Sequence, residues 1–438
     1  MQQDIITFES GADSYLFLVN GSQLFQVDGD VATEFKQAIS SDDHDRIDGL
    51  FNAYNLNNPV SCESYLQADA PIHALSLAIA QKCNMGCSYC YAQSGDFGAP
   101  SKNMSHETAI TAVRRLLFAR HAGERVNLAF MGGEPLINRK VLRSATRYAA
   151  ELASERDIAI SYSITTNGTL LTPEDGRFFE DFGFAVTVSL DGVGSEHDQQ
   201  RPFKNGQASY DRIMRRIEPL LSFQQKMQLS ARITVTANNL NLPHTLQSFI
   251  DKGFHSVGFS PMLTAPDGRH EMTSSNLQQM LTAMIECAEQ CEQAILQGHR
   301  FPFANMINAL QEIHKGTHRP YPCGAGAGYL GVSADGDLAA CHRFVGNEKA
   351  AMGNIYSGID TSARERWLTQ RHVHQQQPCS DCWARYLCGG GCHHEVLARG
   401  RNSCDYIRGW LSHCLQAYAR LIDARADYFN ATDHKGAN

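Results

Sequence analysis

Strand-like and helix-like runs alternate six times between residues 74 and 296, and this alternation restricts the fold more than any other feature of the sequence. Repeated strand-then-helix units build a parallel sheet with helices outside it, either an open doubly wound sheet or a partial barrel. In both architectures the chemistry lies where strands end and loops begin. The predicted strands are Ala74–Ala80, Val126–Phe130, Ile158–Thr165, Ala185–Ser189, Leu229–Thr236 and Ser256–Ser260, and the predicted helices lie near 105–121, 139–154, 173–182, 209–225, 241–252 and 273–296.

The first 70 residues predict a separate small module. Two β-rich runs are divided by Asn20-Gly21, which is typical of a hairpin turn, and two stretches with helical spacing follow. Two strands and two helices predict a winged-helix-like unit over residues 1–70, although an extension that merely covers the next domain has the same pattern. The predicted elements are strands Ser14–Asn20 and Gln23–Asp28 and helices Val31–Ile39 and Asp42–Tyr54.

Charge and hydropathy exclude several function classes. The 438 residues include 46 Asp and Glu against 38 Lys and Arg, a formal net charge of −8. This excess of acidic groups argues against nucleic-acid or membrane-surface partners, because no surplus cations are available for phosphates. No apolar run is long enough for a membrane span, and the first residues lack the pattern of a signal peptide. We therefore expect a cytoplasmic protein.

The 14 cysteines are clustered rather than spread evenly. Three lie within residues 83–90 and eight between residues 323 and 414, and in a reducing compartment such clustering indicates metal or cluster ligands. Cys287 and Cys291 lie in a helix-like stretch, and we interpret them as packing residues. Residues 320–420 are rich in Gly and Cys and have little regular periodicity. They predict a third domain that depends on metal ligation.

The first cysteine group, Cys83-Asn-Met-Gly-Cys87-Ser-Tyr-Cys90, follows directly on the first predicted strand of the α/β region. A tetrahedral zinc site would need four ligands, usually in C-x2-C pairs. Three thiolates on one short loop instead suit a [4Fe–4S] cluster whose fourth iron stays open to a substrate. A structural metal loop is the alternative from these residues alone.

This C-x3-C-x2-C motif resembles the signature of the radical S-adenosylmethionine (radical SAM) superfamily. Three further segments, at the ends of the second, third and fourth strands, are similar to that family's cofactor-binding segments: Phe130-Met-Gly-Gly-Glu-Pro135, Thr165-Thr-Asn-Gly168 and Ser189-Leu-Asp-Gly192. The resemblance favours a partial (β/α)6 barrel over residues 75–310. It implies that Cys83, Cys87 and Cys90 bind a [4Fe–4S] cluster.

The same resemblance implies contacts to S-adenosylmethionine. Glu134 would hold the methionyl ammonium, and Ser189 and Arg201 would contact the ribose and the carboxylate. The other implied contacts are Gly132 and Gly133, where the backbone would approach the ligand closely, and Tyr89, which would pack against adenine.

The later cysteines have the spacing Cys323-x17-Cys341, then C-x2-C-x5-C-x3-C over residues 379–392, then two single cysteines. Eight thiolates suffice for two cubane clusters or for a pair of zinc sites. The spacing resembles the SPASM extension of radical SAM enzymes, which implies two auxiliary [4Fe–4S] clusters and three clusters in all. The implied ligands are Cys323, Cys341, Cys392 and provisionally Cys414 for auxiliary cluster I, and Cys379, Cys382, Cys388 and Cys404 for auxiliary cluster II.

The resemblance covers residues 75–415 and implies a function. Residues 323–346 are similar to maturases that cross-link ribosomal peptides through thioether bonds and to those that serve quinohaemoprotein amine dehydrogenase. The N-terminal module resembles the leader-recognition domain, which adds a leader peptide as a strand to a sheet edge. We therefore expect an enzyme that removes hydrogen from a leader-bearing precursor peptide or small protein with a 5′-deoxyadenosyl radical. It would install a thioether or carbon–carbon cross-link, with a reductant such as flavodoxin or ferredoxin.

Two alternatives have different chemistry. One is an anaerobic sulfatase-type maturase that forms formylglycine, and the other is a zinc-binding scaffold for protein interactions. The sequence identifies no catalytic base. Asp335, Asp337, His342 and Arg343 lie beside a predicted cluster ligand, but such residues more often close turns or solvate a loop.

Overall fold

The structure, a computed structural model, describes residues 4–56, 70–265 and 268–433. They fall into two compact units. The first contains residues 4–56, Leu281–Cys323 and 369–433, and the second contains the described residues of 70–280 together with Gly324–Leu368. The predicted division into residues 1–70, 75–310 and 320–420 stays a prediction, and residues 57–69 of the predicted module lie outside the described residues.

The N-terminal residues form a three-stranded antiparallel sheet followed by two helices. The predicted hairpin and both helices are confirmed, while strand β1 was not predicted because its exposure does not alternate cleanly between the two faces. Ile5, Leu16 and Leu18 of the sheet pack on Val31 and Phe35 of the first helix, which gives the module its apolar core. The elements are β1 (Ile5–Ser10), β2 (Asp13–Leu18), β3 (Gln23–Val27), α1 (Gly29–Ser40) and α2 (His44–Ala53).

Six parallel strands form the centre of the second unit, and each predicted strand is present. A two-residue strand pairs antiparallel with the end of the first of them. The strands are β4 (Ala74–Gln81), β5 (Lys102–Asn103), β6 (Arg125–Gly132), β7 (Ala159–Thr166), β8 (Ala185–Ser189), β9 (Gln228–Val235) and β10 (Ser256–Pro261). The helices are α3 (His106–Phe118), α4 (Arg139–Glu155), α5 (Pro173–Asp181), α6 (Ser195–Gln200), α7 (Tyr210–Leu221), α8 (Leu242–Asp251) and α9 (Ser274–Leu296), of which residues 281–296 belong to the first unit.

The order of the parallel strands decides between the two predicted architectures. From β10 back to β4, the six long strands are neighbours in the order of the sequence. Because parallel crossovers are right-handed, an unbroken order places every connecting helix on the same face of the sheet. A doubly wound sheet would need the order to reverse. The fold is therefore the predicted partial (β/α)6 barrel, open at its β10 edge.

Four later strands extend this sheet beyond β4. The first pairs parallel with β4 from Tyr329↔Ala74 to Val332↔Leu77, and the other three follow antiparallel. The buried guanidinium of Arg364 donates to the carbonyls of Gly326, Ala327 and Ala70, which fixes the glycine-rich loop before the first of these strands. The elements are β11 (Tyr329–Val332), β12 (Asp337–Ala339), β13 (Ala351–Asn354), β14 (Gly358–Ile359) and α11 (Thr361–Arg371).

The first unit also contains a long helix that was not predicted. The expectation that residues 320–420 have little regular periodicity was wrong for this part, because helix α14 (Cys404–Ala424) buries Trp410, Cys414, Ala417 and Leu421 at helical spacing. Its Arg420 forms a double ion pair with Glu292 of α9 at 2.6 and 2.8 Å. The remaining helices are α10 (Ala304–His314), α12 (Arg385–Cys388), α13 (His393–Arg399), α14 (Cys404–Ala424) and α15 (Ala426–Asp433).

Helix α14 also supports the N-terminal sheet within the same unit. The Ser10 hydroxyl donates to the Gln416 carbonyl at 3.1 Å. Arg385 forms an ion pair with Asp4, and Phe17 packs edge-on against Trp383. Among the described helices, none combines the length and apolar character needed to cross a bilayer.

Candidate functional site

The loop from Cys83 to Cys90 begins where β4 ends and brings three predicted ligands together. Cys83, Cys87 and Cys90 lie close enough for the charge of one thiolate to raise the pKa of another. Burial is the larger cause, and it raises the pKa of Cys83 and brings that of Cys87 to about 12. Buried thiols with raised pKa values become stable thiolates when a cationic metal centre replaces their protons.

Asn167 was quoted in a sequence motif but given no role, and it connects this loop to the end of β7. Its amide nitrogen Nδ2 lies 3.7 Å from the Cys83 Sγ and donates to Asn84 Oδ1 at 3.0 Å. Its Oδ1 accepts from the backbone N–H and the hydroxyl of Thr169. The Met85 N–H points at the same Cys83 sulfur from 3.4 Å. Hydrogen bonds to a ligating sulfur tune the reduction potential of an iron–sulfur cluster.

The Glu134 side chain is fully buried at the end of β6. Its carboxylate accepts hydrogen bonds from the Leu136 N–H at 3.0 Å, the Thr166 hydroxyl at 2.8 Å and the Asn167 N–H at 2.8 Å. Burial raises the pKa of Glu134, and these three donors oppose that effect. The two oxygens are thus held in fixed directions beside the cysteine loop.

The backbone around Gly132 and Gly133 leaves no space for a side chain. Gly132 has φ +145°, and a Cβ there would lie 2.3 Å from the Ala80 carbonyl oxygen. At Gly133 a Cβ would lie 2.3 Å from the Lys82 carbonyl oxygen and 2.7 Å from the Gly95 Cα. The prediction that these glycines admit a ligand stays a prediction, but close backbone packing already explains why no side chain fits.

Tyr89, Asp191 and Arg201 form one buried hydrogen-bonded group. The Tyr89 hydroxyl is bonded to the Asp191 carboxylate and accepts from Arg201 Nη1 at 2.6 Å. Arg201 Nη1 lies 3.6 Å from Asp191 Oδ2. Burial raises the pKa of Asp191, while the charge of Arg201 opposes this. Asp191 was quoted in the sequence motif but given no role, although an acidic residue after a parallel strand was the available signal.

One hydrogen-bond donor of the Arg201 guanidinium is not used within the described residues. Its Nε is buried and, among the residues that the structure describes, has no hydrogen-bond partner. Because an unsatisfied buried donor costs free energy, a carboxylate at this position would be stabilising. This geometry fits the predicted contact with the methionyl carboxylate. Ser189 lies two residues before Asp191 and is the last residue of β8, where it is partly buried.

A second group of cysteines surrounds one cavity in the first unit. Cys379, Cys382, Cys388 and Cys404, the four predicted ligands of auxiliary cluster II, line it together with arginines. Burial raises the pKa of Cys379 to about 11 and also raises that of Cys404, while the charge of Arg401 opposes both shifts. Cationic side chains offset the negative charge of four thiolates around iron.

Three glycines in succession shape the wall of this cavity. Gly389, Gly390 and Gly391 have φ values of +70°, +94° and +77°, which other residues rarely adopt. This backbone path turns the N–H groups of Gly390 and Gly391 toward the Cys388 thiol, and both hydrogen bonds oppose the pKa increase that burial causes. Successive N–H groups aimed at one anion form a nest, as in many iron–sulfur sites.

The ligands predicted for auxiliary cluster I are divided between the units. Cys323, Cys392 and Cys414 belong to the first unit and Cys341 to the second. Cys414 is fully buried within α14, and the charge of Cys291 contributes to its raised pKa. Cys404 precedes it by ten residues, or about 15 Å along a helix, so the two thiols cannot ligate the same cluster. Their assignment stays a prediction.

The remaining singled-out residues have structural contacts. Cys287 and Cys291 are fully buried in α9, in keeping with their interpretation as packing residues. Asp335 forms an ion pair with Lys102, Asp337 accepts from Asn354 at 2.9 Å, and His342 Nδ1 lies 2.7 Å from the Tyr329 hydroxyl. Arg343 lies over the Tyr91 ring at 5.3 Å.

The arrangement of donors bears on the zinc alternative. Within the described residues, no three His, Cys, Asp or Glu side chains converge tightly enough to hold a single metal ion. A zinc ion would draw its sulfur ligands to about 2.3 Å from one point. A cubane cluster binds each thiolate through a separate iron, so its ligands need not converge on one point.

Comparisons with known proteins identify the domain that contains the first cysteine group. Residues 77–226 match the model of the Radical SAM superfamily. A serine-type anaerobic sulfatase-maturating enzyme of Klebsiella aerogenes is 26% identical, covering 77% of this chain and 83% of its own length. Enzymes of this superfamily use a [4Fe–4S] cluster and S-adenosylmethionine.

Two solved structures share the fold. Native anSMEcpe with bound AdoMet and Cp18Cys peptide superposes with a TM-score of 0.66 at 20% identity, over 81% of this chain and 99% of that one. Streptococcus suis SuiB superposes with a TM-score of 0.53 at 13% identity, over 90% and 95% of the two chains. The chain therefore contains a radical SAM domain, and over most of its length it is similar to anaerobic sulfatase-maturating enzymes.

Proposed function

We propose that this enzyme installs a thioether or carbon–carbon cross-link in a ribosomally made peptide or small protein that carries a leader. The observation that supports this most directly is the N-terminal module, whose β3 lies at the edge of its sheet with a groove beside it. When bound, the cluster and S-adenosylmethionine supply a 5′-deoxyadenosyl radical that removes hydrogen from an unactivated carbon. An unpaired strand edge suits capture of an extended leader.

The proposed roles of the site residues combine the family resemblance with the contacts described above. Cys83, Cys87 and Cys90 would hold the first cluster, with Asn167 positioning Cys83. Glu134 would receive the methionyl ammonium, and Arg201 the carboxylate. The other proposed cofactor contacts are Tyr89, Gly132, Gly133 and Ser189. The proposed auxiliary ligands are Cys323, Cys341, Cys392 and Cys414 for one cluster and Cys379, Cys382, Cys388 and Cys404 for the other, with flavodoxin or ferredoxin as reductant.

The hydrogen-bonding direction along β3 defines the proposed docking edge. The Val19 N–H donates to the Asp4 carbonyl at 2.9 Å, so Val19 bonds toward β1. Directions alternate along a strand, and Leu16 and Leu18 therefore bond toward β3, where they pair with Phe25 and Gln23. The backbone groups of Leu24 and Gln26 face away from β2, where no strand within the described residues pairs with β3. A leader strand would hydrogen-bond to these two residues.

Gln26→Pro is expected to weaken leader binding by about tenfold without unfolding the module. Proline removes the edge-facing N–H, and its ring obstructs an incoming strand, while the ladder to β2 keeps its hydrogen bonds. Loss of one backbone hydrogen bond corresponds to about 0.5–1.5 kcal/mol. Fluorescence anisotropy of the labelled precursor peptide with the full-length enzyme measures the affinity.

Gln26→Ala is the matched control, because it shortens the same exposed side chain but keeps the N–H. It should bind the precursor as the unaltered protein does. Equal affinity for the proline and alanine variants, with unchanged circular dichroism, would place the leader elsewhere. S-adenosylmethionine cleavage without peptide should stay unaltered in both.

The reaction itself is tested by mass spectrometry of a precursor peptide, encoded next to the enzyme, after anaerobic co-expression. A cross-link removes two hydrogen atoms from the peptide, and the fragment ions between the joined residues disappear. A product that retains both hydrogens, or whose fragments are complete, contradicts cross-linking.

Formylglycine formation is the second candidate. The similarity to the serine-type anaerobic sulfatase-maturating enzyme of Klebsiella aerogenes favours it. It also removes two hydrogens from serine, but it creates an aldehyde that reacts with hydrazide reagents and leaves fragmentation complete. A sulfatase peptide without a leader should then be modified, and Gln26→Pro should have no effect. These two readouts separate the candidates.

A further inference from the structure

The net charge of this protein is concentrated in its N-terminal module. Residues 4–56 contain ten Asp and Glu but only two Lys and Arg, a formal charge of −8. The rest of the chain contains 36 residues of each sign. The module therefore accounts for the whole net charge of −8. A local excess of one sign attracts a partner of the opposite sign.

A groove beside the open edge of β3 has an apolar floor and an acidic end. Its volume is about 700 Å³, and its apolar lining is formed by Phe25, Val27, Val31, Tyr54 and Leu56. Tyr54 is 43% exposed, although its ring is large and apolar. Alternate side chains of a strand added at this edge would face that floor.

Two aspartates mark the acidic end of the groove. Ser14 of β2 pairs with Val27 of β3. The next residue on each strand, Asp13 and Asp28, therefore lies at the open end of the β2–β3 hairpin, and both residues line the groove. Neither forms an ion pair with any residue in the described parts of the chain. Asp30 adds a further exposed carboxylate in the first turn of α1.

Asp28 occupies a helix N-cap, where an aspartate side chain ordinarily accepts a hydrogen bond from the helix backbone. It is the N-cap residue of α1, yet its carboxylate makes no capping hydrogen bond. An N-cap aspartate commonly accepts from the helix N–H groups, which Asp43 does at the start of α2 by accepting from the Arg46 N–H. The Asp28 carboxylate thus stays available at the end of the groove.

From the free edge, the apolar floor and the unpaired carboxylates we infer that the occupant of this groove is a basic leader segment. It has apolar residues at alternate positions, which face the floor, and Lys or Arg at the end beside Val27. This inference rests on the proposed leader recognition and adds the chemistry of the peptide. Main-chain hydrogen bonds align the strand, and the charges select it.

The test compares two short labelled peptides with the full-length enzyme. Both carry the same alternating Val and Leu residues, but one ends in Lys residues and its twin in Glu residues. The Lys peptide is expected to bind at least about tenfold more tightly at low salt, and the difference should shrink as ionic strength rises.

Paired variants locate the effect on the surface. Asp13→Asn with Asp28→Asn should weaken binding of the Lys peptide about fivefold, the size expected for two exposed ion pairs. Asp45→Asn with Asp48→Asn removes the same charge from exposed positions on α2 outside the groove, and it should leave the affinity nearly unchanged.

The outcomes distinguish this inference from the proposed function. Equal binding of the two peptides, or equal loss in the two paired variants, overturns the basic-leader inference and leaves leader recognition standing. If neither peptide nor the precursor binds at the β3 edge, leader recognition itself fails. Peptide binding only to a variant that lacks residues 57–69 would make the chain's own segment the occupant and overturn the inference.

Discussion

Replacing Cys83, Cys87 and Cys90 together by Ala is expected to remove about a third of the iron and all S-adenosylmethionine cleavage. If three clusters are present, the anaerobically purified enzyme carries about twelve irons, four per cluster, and the variant keeps about eight. The three thiols lie on the loop after β4, and the predicted auxiliary ligands lie elsewhere in the chain. Iron and acid-labile sulfide analysis, with detection of 5′-deoxyadenosine, measures both effects.

The double variant Cys287→Ala with Cys291→Ala is the control for the triple variant. It also removes buried thiols, but ones that we interpret as packing residues. It should lower the unfolding temperature through small cavities but leave the iron content unchanged. Full iron retention by the triple variant, or zinc in place of iron in the unaltered enzyme, would contradict cluster binding at the β4 loop. Loss of all iron would instead indicate that the variant does not fold.

Arg201→Lys is expected to weaken S-adenosylmethionine binding by about 10- to 100-fold, because a lysine lacks the Nε donor and the bidentate fork. A charge-assisted hydrogen bond contributes about 1.5–3 kcal/mol, which corresponds to that range. Lysine is preferable to alanine here, since alanine would leave Asp191 without its counter-charge. Calorimetric titration of the cluster-loaded enzyme without reductant gives the affinity.

Arg215→Lys serves as the matched control, because Arg215 is exposed on α7 and its Nε donates to the Asp211 carbonyl at 3.2 Å. Its S-adenosylmethionine affinity should not change. Leader-peptide affinity should be unaltered in both variants. Unchanged cofactor binding by Arg201→Lys would refute the assignment, and loss of leader binding alone would reverse it.

The barrel was predictable because its strands are buried runs of similar length with amphipathic helices between them. Each predicted strand from Ala74–Ala80 to Ser256–Ser260 lies within about two residues of the observed bounds. The choice between barrel and doubly wound sheet was not available from periodicity, because strand order is set by long-range pairing. β1 and α14 were missed, the first for its weak alternation and the second because the cysteines around it dominated the interpretation.

The site was predictable only where its residues belong to short motifs. The cysteine triad and Glu134 could be identified, since they follow strand ends in sequence. Asp191 and Asn167 act across distances of 102 and 84 residues from their partners Tyr89 and Cys83. No local pattern encodes such contacts. The grouping of Cys404 with Cys379, Cys382 and Cys388 was predicted from the resemblance to the SPASM extension, and in the structure all four line one cavity.

The pairing of β11 with β4 has a mechanical consequence. β4 leads directly into Cys83, and β11 leads through β12 to Cys341, so both cysteines are anchored to one hydrogen-bonded sheet within a single unit. Metal centres held at these two points would keep a nearly constant separation while other parts of the enzyme move. The rate of electron tunnelling falls steeply with distance. The rate of electron transfer between the two centres would therefore be set by strand spacing rather than by domain motion.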